Sequence, residues 1–324
     1  MQRLKSILVI ADGADKQNTA FERAARLALR SQSRLTVACI VESLPEAQTL
    51  AAARHSADLC EMRVQEVMAH DDMARLERLI APLRDAGLEV ETKILRGTPF
   101  REIIREVLRS QHDLLMITAA DEMGFKGTLF GETSIHLLRK CPCPVWVIKP
   151  LYGRFYARIL AAVDPHPFDR ERNALNLKIM ELAASLARSE QSEICVVHTW
   201  TPSRMLSLGS RFSQDSMEQT LSTIRQAQVA SLNELLHGCP LENVRYQVHL
   251  LEGEPGELIA AMAKRKRVDV IIMGTVCRTG VAGFFIGNTA EKVLRQVDCS
   301  VLTVKPDAFV TLVKIDELEP AHAA

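Results

Sequence analysis

The sequence predicts an α/β protein made of two tandem, doubly wound domains, each built on a five-stranded parallel sheet. Three observations lead there. The chain has 324 residues, a length that suits two domains better than one. Its second half repeats its first. Within each half, short and nearly continuous apolar runs alternate with longer segments of helical periodicity, the pattern of parallel strands covered on both faces.

A shift of 156 residues lays Gly97–Pro150 on Gly253–Pro306 without a gap. Gly97 meets Gly253, Pro99 meets Pro255 and Asp113 meets Asp269. Gly124, Gly127 and Gly131 fall on Gly280, Gly283 and Gly287. Thr133, Leu138-Arg139, Cys143, Val145 and Lys149-Pro150 fall on Thr289, Leu294-Arg295, Cys299, Val301 and Lys305-Pro306. Chance does not keep register through four elements, so the chain is a tandem duplication. The first domain is 1–150 and the second 155–307, joined at Leu151–Phe155, and 308–324 is a C-terminal tail.

Each copy is then read in order. Ser6–Ala11 and Arg158–Val163 are apolar runs that end at Asp12 and Asp164, and read as buried strands. Thr19–Ser31 and Arg172–Arg188 space their apolar residues by three and four, as helices do. Arg34–Val41 and Glu193–Trp200 are second strands. Ala57–Ala86 and Ser213–His237 are long second helices, and Glu89–Leu95 and Arg245–Leu251 third strands. Gly97-Thr98-Pro99 and Gly253-Glu254-Pro255 are turns that set a proline at the start of a third helix. Asp113–Thr118 and Asp269–Gly274 are fourth strands, each followed by a glycine-rich loop. Thr133–Lys140 and Thr289–Gln296 are fourth helices, and Val145–Ile148 and Val301–Val304 fifth strands. Right-handed crossovers favour a sheet of flavodoxin-like order, with a ligand crevice outside the carboxyl ends of the strands. In the second copy that crevice gathers Asp164, Thr199–Thr201, Gly253–Glu257 and the loop after Gly274.

Composition narrows the function. Lys+Arg and Asp+Glu each number 40, so the formal net charge is zero, which argues against a general nucleic-acid binder. No apolar run approaches the ~18 residues of a membrane span. The apolar run after Arg3 and Lys5 is too short for a signal-peptide core. A cytoplasmic protein with reduced cysteines is therefore expected. Cys141-Pro142-Cys143, near His136, has a one-residue spacer, shorter than that of zinc motifs, so buried thiols and no metal are expected.

The second copy carries Met273-Gly274-Thr275-Val276-Cys277-Arg278-Thr279-Gly280 and then Gly287-Asn288-Thr289-Ala290-Glu291. This resembles the signature of the universal stress protein family: Gly, two residues, Gly, nine residues, Gly, then Ser or Thr. The resemblance covers essentially the whole chain as two tandem domains. It implies the family's fold with strand order 3-2-1-4-5, a cytoplasmic role in stress endurance and, in many members, ATP binding. Carried over by position, Asp164 would accept a hydrogen bond from ribose or adenine, and the Thr199 edge would meet the base through its backbone. Met273, Gly274, Val276, Cys277 and Gly287 would belong to the ligand site, with Gly274 and Gly287 admitting close backbone approach to the phosphates and the Cys277 side chain crowding them. Asn288 and Thr289 would start a helix whose free N–H groups favour an anion.

Both copies depart from the pattern. In the second, Cys277 stands at the second glycine, and Asn288 stands where Ser or Thr is usual, as a helix cap. In the first, Thr118 and Asp121 replace the first two glycines, and Glu132 follows Gly131, so two carboxylates face the would-be phosphate region and triphosphate is not expected there. Three readings of the second loop stay open: a nucleotide-like ligand, another small ligand, or a plain strand-to-helix loop. A weak ATPase and a ligand-free interaction module are the competing functions. The chain has neither a phosphate-loop motif nor a dinucleotide fingerprint. No nucleophile, base and orienting acid assemble. Lys264–Arg267 reads as the cationic end of a helix. His198 and His136 have no metal-spaced partners, and His166 reads as a loop histidine.

Universal stress domains commonly pair through their fifth strands. The resemblance therefore implies a pseudo-dimer within one chain, and leaves a homodimer open. The linker spans less than about 20 Å, which suits Val145–Ile148 lying near Val301–Val304. Phe309-Val310 and Leu312-Val313 in the tail are expected to pack on the other copy rather than fray.

Overall fold

The computed structural model describes residues 4–11, 19–41, 58–119, 131–149, 155–201, 214–275 and 287–315. They divide into two compact units. One comprises the described residues between 4 and 149 together with 310–315, and the other those between 155 and 309.

In the N-terminal unit β1 (Ser6–Ile10), β2 (Arg34–Val41), β3 (Val90–Arg96), β4 (Leu114–Thr118) and β5 (Val145–Ile148) alternate with α1 (Thr19–Ser31), α2 (Asp58–Asp85), α3 (Pro99–Ser110) and α4 (Glu132–Lys140). All pairings are parallel, in the order β3-β2-β1-β4-β5. In the C-terminal unit β6 (Arg158–Val163), β7 (Glu193–Trp200), β8 (Arg245–Glu252), β9 (Val270–Gly274) and β10 (Ser300–Val304) alternate with α5 (Arg170–Glu190), α6 (Gln214–His237), α7 (Pro255–Lys266) and α8 (Asn288–Gln296). Their order is β8-β7-β6-β9-β10, again parallel. Each unit thus has the order 3-2-1-4-5, and the winding reverses between its first and fourth strands.

The duplicated residues hold the same positions in both units. Asp113 Oδ2 accepts from the amides of Lys5 and Ser6 at 2.7 and 3.0 Å, and Asp269 Oδ2 from those of Ala157 and Arg158 at 2.7 and 2.9 Å. The carboxylate thereby fastens the start of the central strand to the segment leading into the fourth. Gly97 and Gly253 sit at φ +133° and +135°, where a side chain is strained. Pro99 and Pro255 occupy the first turns of α3 and α7, where a missing N–H is harmless. β1 is wholly buried, as a central parallel strand must be.

The units differ in how α3 and α7 pack. A Cβ on Gly256 would lie 2.6 Å from Lys292 Cβ, so α7 and α8 approach closely because that position is glycine. Its counterpart Phe100 instead stacks on His136 of α4, with ring centroids 4.4 Å apart.

The N-terminal unit also buries a charged network near the amino ends of its strands. Glu106 on α3 accepts from Lys93 Nζ and Ser110 Oγ, both at 2.7 Å, and faces His112 Nε2 at 3.4 Å. His112 Nδ1 contacts Ser6 Oγ at 2.7 Å. Burial alone would raise the Glu106 carboxyl, but its bonds to His112, Lys93 and Ser110 outweigh burial and bring it down to about 2. Met262 and Val268 hold the matching positions in the second copy, which lacks this network.

The tail residues 310–315 run along the N-terminal unit, where Arg105 Nε donates to the Lys314 carbonyl at 3.2 Å. The expected apolar packing is partly corrected. Val310 and Leu312 are 68% and 50% exposed, whereas Thr311 and Val313 are half-buried.

Glu106→Gln is expected to cost the N-terminal unit on the order of 3 kcal/mol at neutral pH. The folded pKa lies below the ordinary 4.5, so the stabilisation is complete above pH 4.5 and fades as pH falls towards about 2. Urea unfolding of wild type and variant should therefore converge in acid. A gap that does not change with pH contradicts this role for Glu106.

Candidate functional site

Strand register assembles the site. Ala162 of β6 pairs with Met273 of β9, and Val163 pairs with His198 of β7. One residue further along, Asp164 leaves β6, Thr199 continues β7 and Gly274 closes β9. The Gly287 amide then donates to the Thr275 carbonyl at 2.9 Å, which ties the start of α8 to the end of β9. Asp164, Thr199, Gly274, Gly287, Asn288 and Thr289 thus share the carboxyl end of one sheet, beside the point where its winding reverses. Met273 is 3% exposed and its side chain belongs to the core. Val276 and Cys277 lie outside the described residues, as do Asp12, Asp121, Gly124, Gly127, Gly280 and Gly283.

Asp164 is held from two sides. Its amide donates to Asn176 Oδ1 at 2.9 Å. Its carboxylate, 36% exposed, lies 3.6 Å from Arg172 NH1 and 4.0 Å from His198 Nδ1. Arg172 is in turn 3.3 Å from Asp169, the cap of α5. His198 is a core histidine, with Nδ1 3.1 Å from the Val163 carbonyl and Nε2 2.8 Å from Gln228 Oε1. His166 is a loop histidine whose amide donates to Asn173 Oδ1 at 3.0 Å.

Arg172, Asn176 and Gln228 were not singled out by sequence reasoning. Asn176 carried a readable signal, because a buried asparagine inside an apolar helical stripe needs a partner. Its Oδ1 has one, while its buried Nδ2 has no hydrogen-bond partner among the described residues.

One residue differs from expectation, and a second has a packing role besides the expected one. Asn288 is not the helix cap: Gly287 is, with no capping side chain, and Asn288 is the exposed first helical residue. Gly274 has an unremarkable φ, and a Cβ there would lie 2.9 Å from Leu175 Cδ2. The space that glycine vacates is filled by α5.

Helix starts at this end of the C-terminal unit are not alike. Asp169 accepts from the Arg172 amide at 2.9 Å and so caps α5. Glu254 accepts from the Glu257 amide at 3.0 Å and pairs with Lys292 at 3.1 Å, capping α7. Burial tends to raise the Glu254 carboxyl, and those bonds lower it overall. Among the described residues no carboxylate caps the first turn of α8, whose one acidic residue there, Glu291, instead accepts from Arg295 at 2.7 Å, so none of them closes its amides to an anion. In the N-terminal unit, α4 likewise starts after an uncapped glycine, Gly131, but its first residue is Glu132, whose side chain is 91% exposed.

The universal stress protein family model matches residues 3–149 and 155–305. Universal stress protein E of Escherichia coli K12 is 31% identical over 238 residues, covering 72% of this chain and 74% of that protein. Universal stress protein E of Photorhabdus laumondii is 27% identical over 320 residues, covering 97% and 99%. Among solved structures, a protein of unknown function from Pseudomonas aeruginosa PAO1 has a TM-score of 0.71 at 26% identity, covering 94% of this chain and 93% of that one. A universal stress protein from Archaeoglobus fulgidus shares the fold, with a TM-score of 0.57 at 16% identity over 92% of this chain and 98% of that one. A family match that spans both copies, with a relative this similar over most of its length, places the chain in the universal stress protein family.

Proposed function

We propose that this protein is a non-catalytic, cytoplasmic stress-response protein that binds a nucleotide or nucleotide-like ligand in its C-terminal domain, with ATP as the reference ligand. The observation that carries the proposal is the contrast between helix starts. In the C-terminal unit α5 and α7 are closed by their own carboxylates, while no described residue caps the amides of α8 after Gly287. An anion there gains both unsatisfied donors and the positive end of the helix dipole.

The residues present fit such a ligand. Gly287 sets no side chain between the phosphates and the amides, and Asn288 and Thr289 add neutral polar groups. Asp164 stands at the same end of the sheet, oriented by Asn176 and Arg172. A ribose hydroxyl bonded to Asp164 would share that carboxylate with Arg172. Thr199 offers its backbone at the edge of β7, where a base would lie, and the loop carrying Val276 and Cys277 joins Thr275 to Gly287. When bound, the nucleotide supplies a polyanion whose charge the start of α8 balances. No metal is needed in this reading, and the N-terminal domain holds no triphosphate, because Glu132 opposes it. The described part of the site offers no activated nucleophile and base, so binding rather than turnover is the proposed output. No described helix is long and apolar enough to cross a membrane.

Two variants of the full chain test this. Asn288→Glu gives α8 the charge that α4 carries. Repulsion between charges about 4 Å apart at intermediate dielectric is on the order of 4 kcal/mol, so ATP affinity should fall at least about tenfold. Glu132→Asn should leave affinity unchanged. Calorimetry giving the reverse pattern would place the ligand in the other domain, and phosphate release from ATP that Asn288→Glu abolishes would make the protein an enzyme.

Gly274→Ala separates packing from ligand contact. The added methyl meets the end of Leu175, so a stability loss of about 1 kcal/mol is expected. Adding Leu175→Ala should relieve the clash, which a double-mutant cycle would register as coupling. No coupling between the two positions would mean that Gly274 does not serve the packing of α5.

A further inference from the structure

We propose that Cys141 and Cys143 form a peroxide-oxidised dithiol, closing to an intramolecular disulfide at the junction of α4 and β5. Their sulfur atoms lie 3.5 Å apart, in van der Waals contact, and need to close by about 1.5 Å to reach the ~2.05 Å of a disulfide.

The local sequence produces this contact. Cys141 ends α4, its amide donating to the Leu137 carbonyl at 3.0 Å, and then turns extended with φ −70° and ψ 131°. Pro142 enforces that turn, because a residue before proline is driven out of the helical region. In an extended segment, side chains two apart share one face, so both thiols point the same way. Proline also fixes its own φ, leaving little freedom to lose when the sulfurs join. The matching turn of the second copy reads Val297-Asp298-Cys299, and so has a single thiol.

Two further observations favour oxidation over a metal. Among the described residues no three His, Cys, Asp or Glu side chains group together as metal ligands, and two thiols alone do not complete a tetrahedral site. Two of the other buried thiols, Cys195 and Cys239, are poor competitors. Burial pushes the Cys239 thiol up to about 11, and burial followed by Glu193 raises Cys195.

The oxidant is a hydroperoxide, small enough to reach side chains that are 0% and 9% exposed. Cys143, the more accessible, attacks first as thiolate. An S–O bond forms, the O–O bond breaks, and the departing hydroxide takes up the thiol proton as water. The Cys141 sulfur then attacks the sulfenic sulfur. An S–S bond forms, the S–O bond breaks, and a second water leaves. Two thiols and one hydrogen peroxide thus become one disulfide and two waters.

The test uses the reduced full-length chain, treated with excess hydrogen peroxide, quenched, unfolded and alkylated with iodoacetamide. Trypsin releases Cys141–Arg154, which holds only these two cysteines. The expected fragment is lighter by two hydrogens, carries no alkyl group, and gains two alkyl groups after dithiothreitol, while Cys299 is alkylated throughout. In Cys143→Ser, Cys141 should remain open to alkylation. The proposal is overturned if both thiols of the wild type are alkylated after peroxide, if Cys143 ends as sulfinic acid beside an alkylated Cys141, or if either is joined to a third cysteine.

Discussion

The central strand of each unit is gripped at its start and left open at its end, and the rest of the site follows from that. Asp113 and Asp269 each take two successive backbone amides at the start of β1 and β6. This fastens the first strand beside the fourth, where the winding of the sheet reverses. Helices that cross over from the two sides diverge at that point, and the carboxyl ends of β6 and β9 are left facing a crevice. A residue leaving β6, a helix starting after β9 and the edge of β7 come together there, although up to 125 residues separate them, from Asp164 to Thr289.

Duplication gave two such crevices, and their chemistry has diverged. At the helix that follows the glycine loop, one copy begins with a carboxylate and the other with a neutral amide side chain. Away from the crevice, the N-terminal copy has gained a buried ionic network around Glu106, where its sister carries Met262 and Val268. Removing one partner from a buried, hydrogen-bonded charge cluster costs more than the cluster contributes as a whole. The network therefore constrains further change in that copy. The C-terminal copy has instead drawn α7 and α8 together over Gly256.

Much of the fold was legible because each element left a local signature. Thr19–Ser31, Arg34–Val41, Val145–Ile148 and Glu193–Trp200 occur with the bounds read from periodicity. The repeated glycines, prolines and aspartates pointed to positions whose physical jobs the structure then supplied. What was not legible depends on contacts distant in sequence. Nothing near Glu106 announces Lys93 on a neighbouring strand, and nothing near Asp164 announces that Arg172 and Asn176 will turn towards it. Gly274 was read for the close backbone approach that a missing side chain allows, and the packing neighbour Leu175 that also uses this space lies on a different element. Helix α8 begins one residue earlier than its apolar pattern suggests, which moves the cap from Asn288 to Gly287.

In the proposed function the start of α8 meets an anion and the start of α4 repels one. Amide hydrogen exchange of the full chain, with and without saturating ATP, reads both places in one experiment. Slowed exchange at residues 287–291, with no change at 131–135, is the predicted result. Slowed exchange at 131–135, or none at either helix start while ATP is bound, would contradict it.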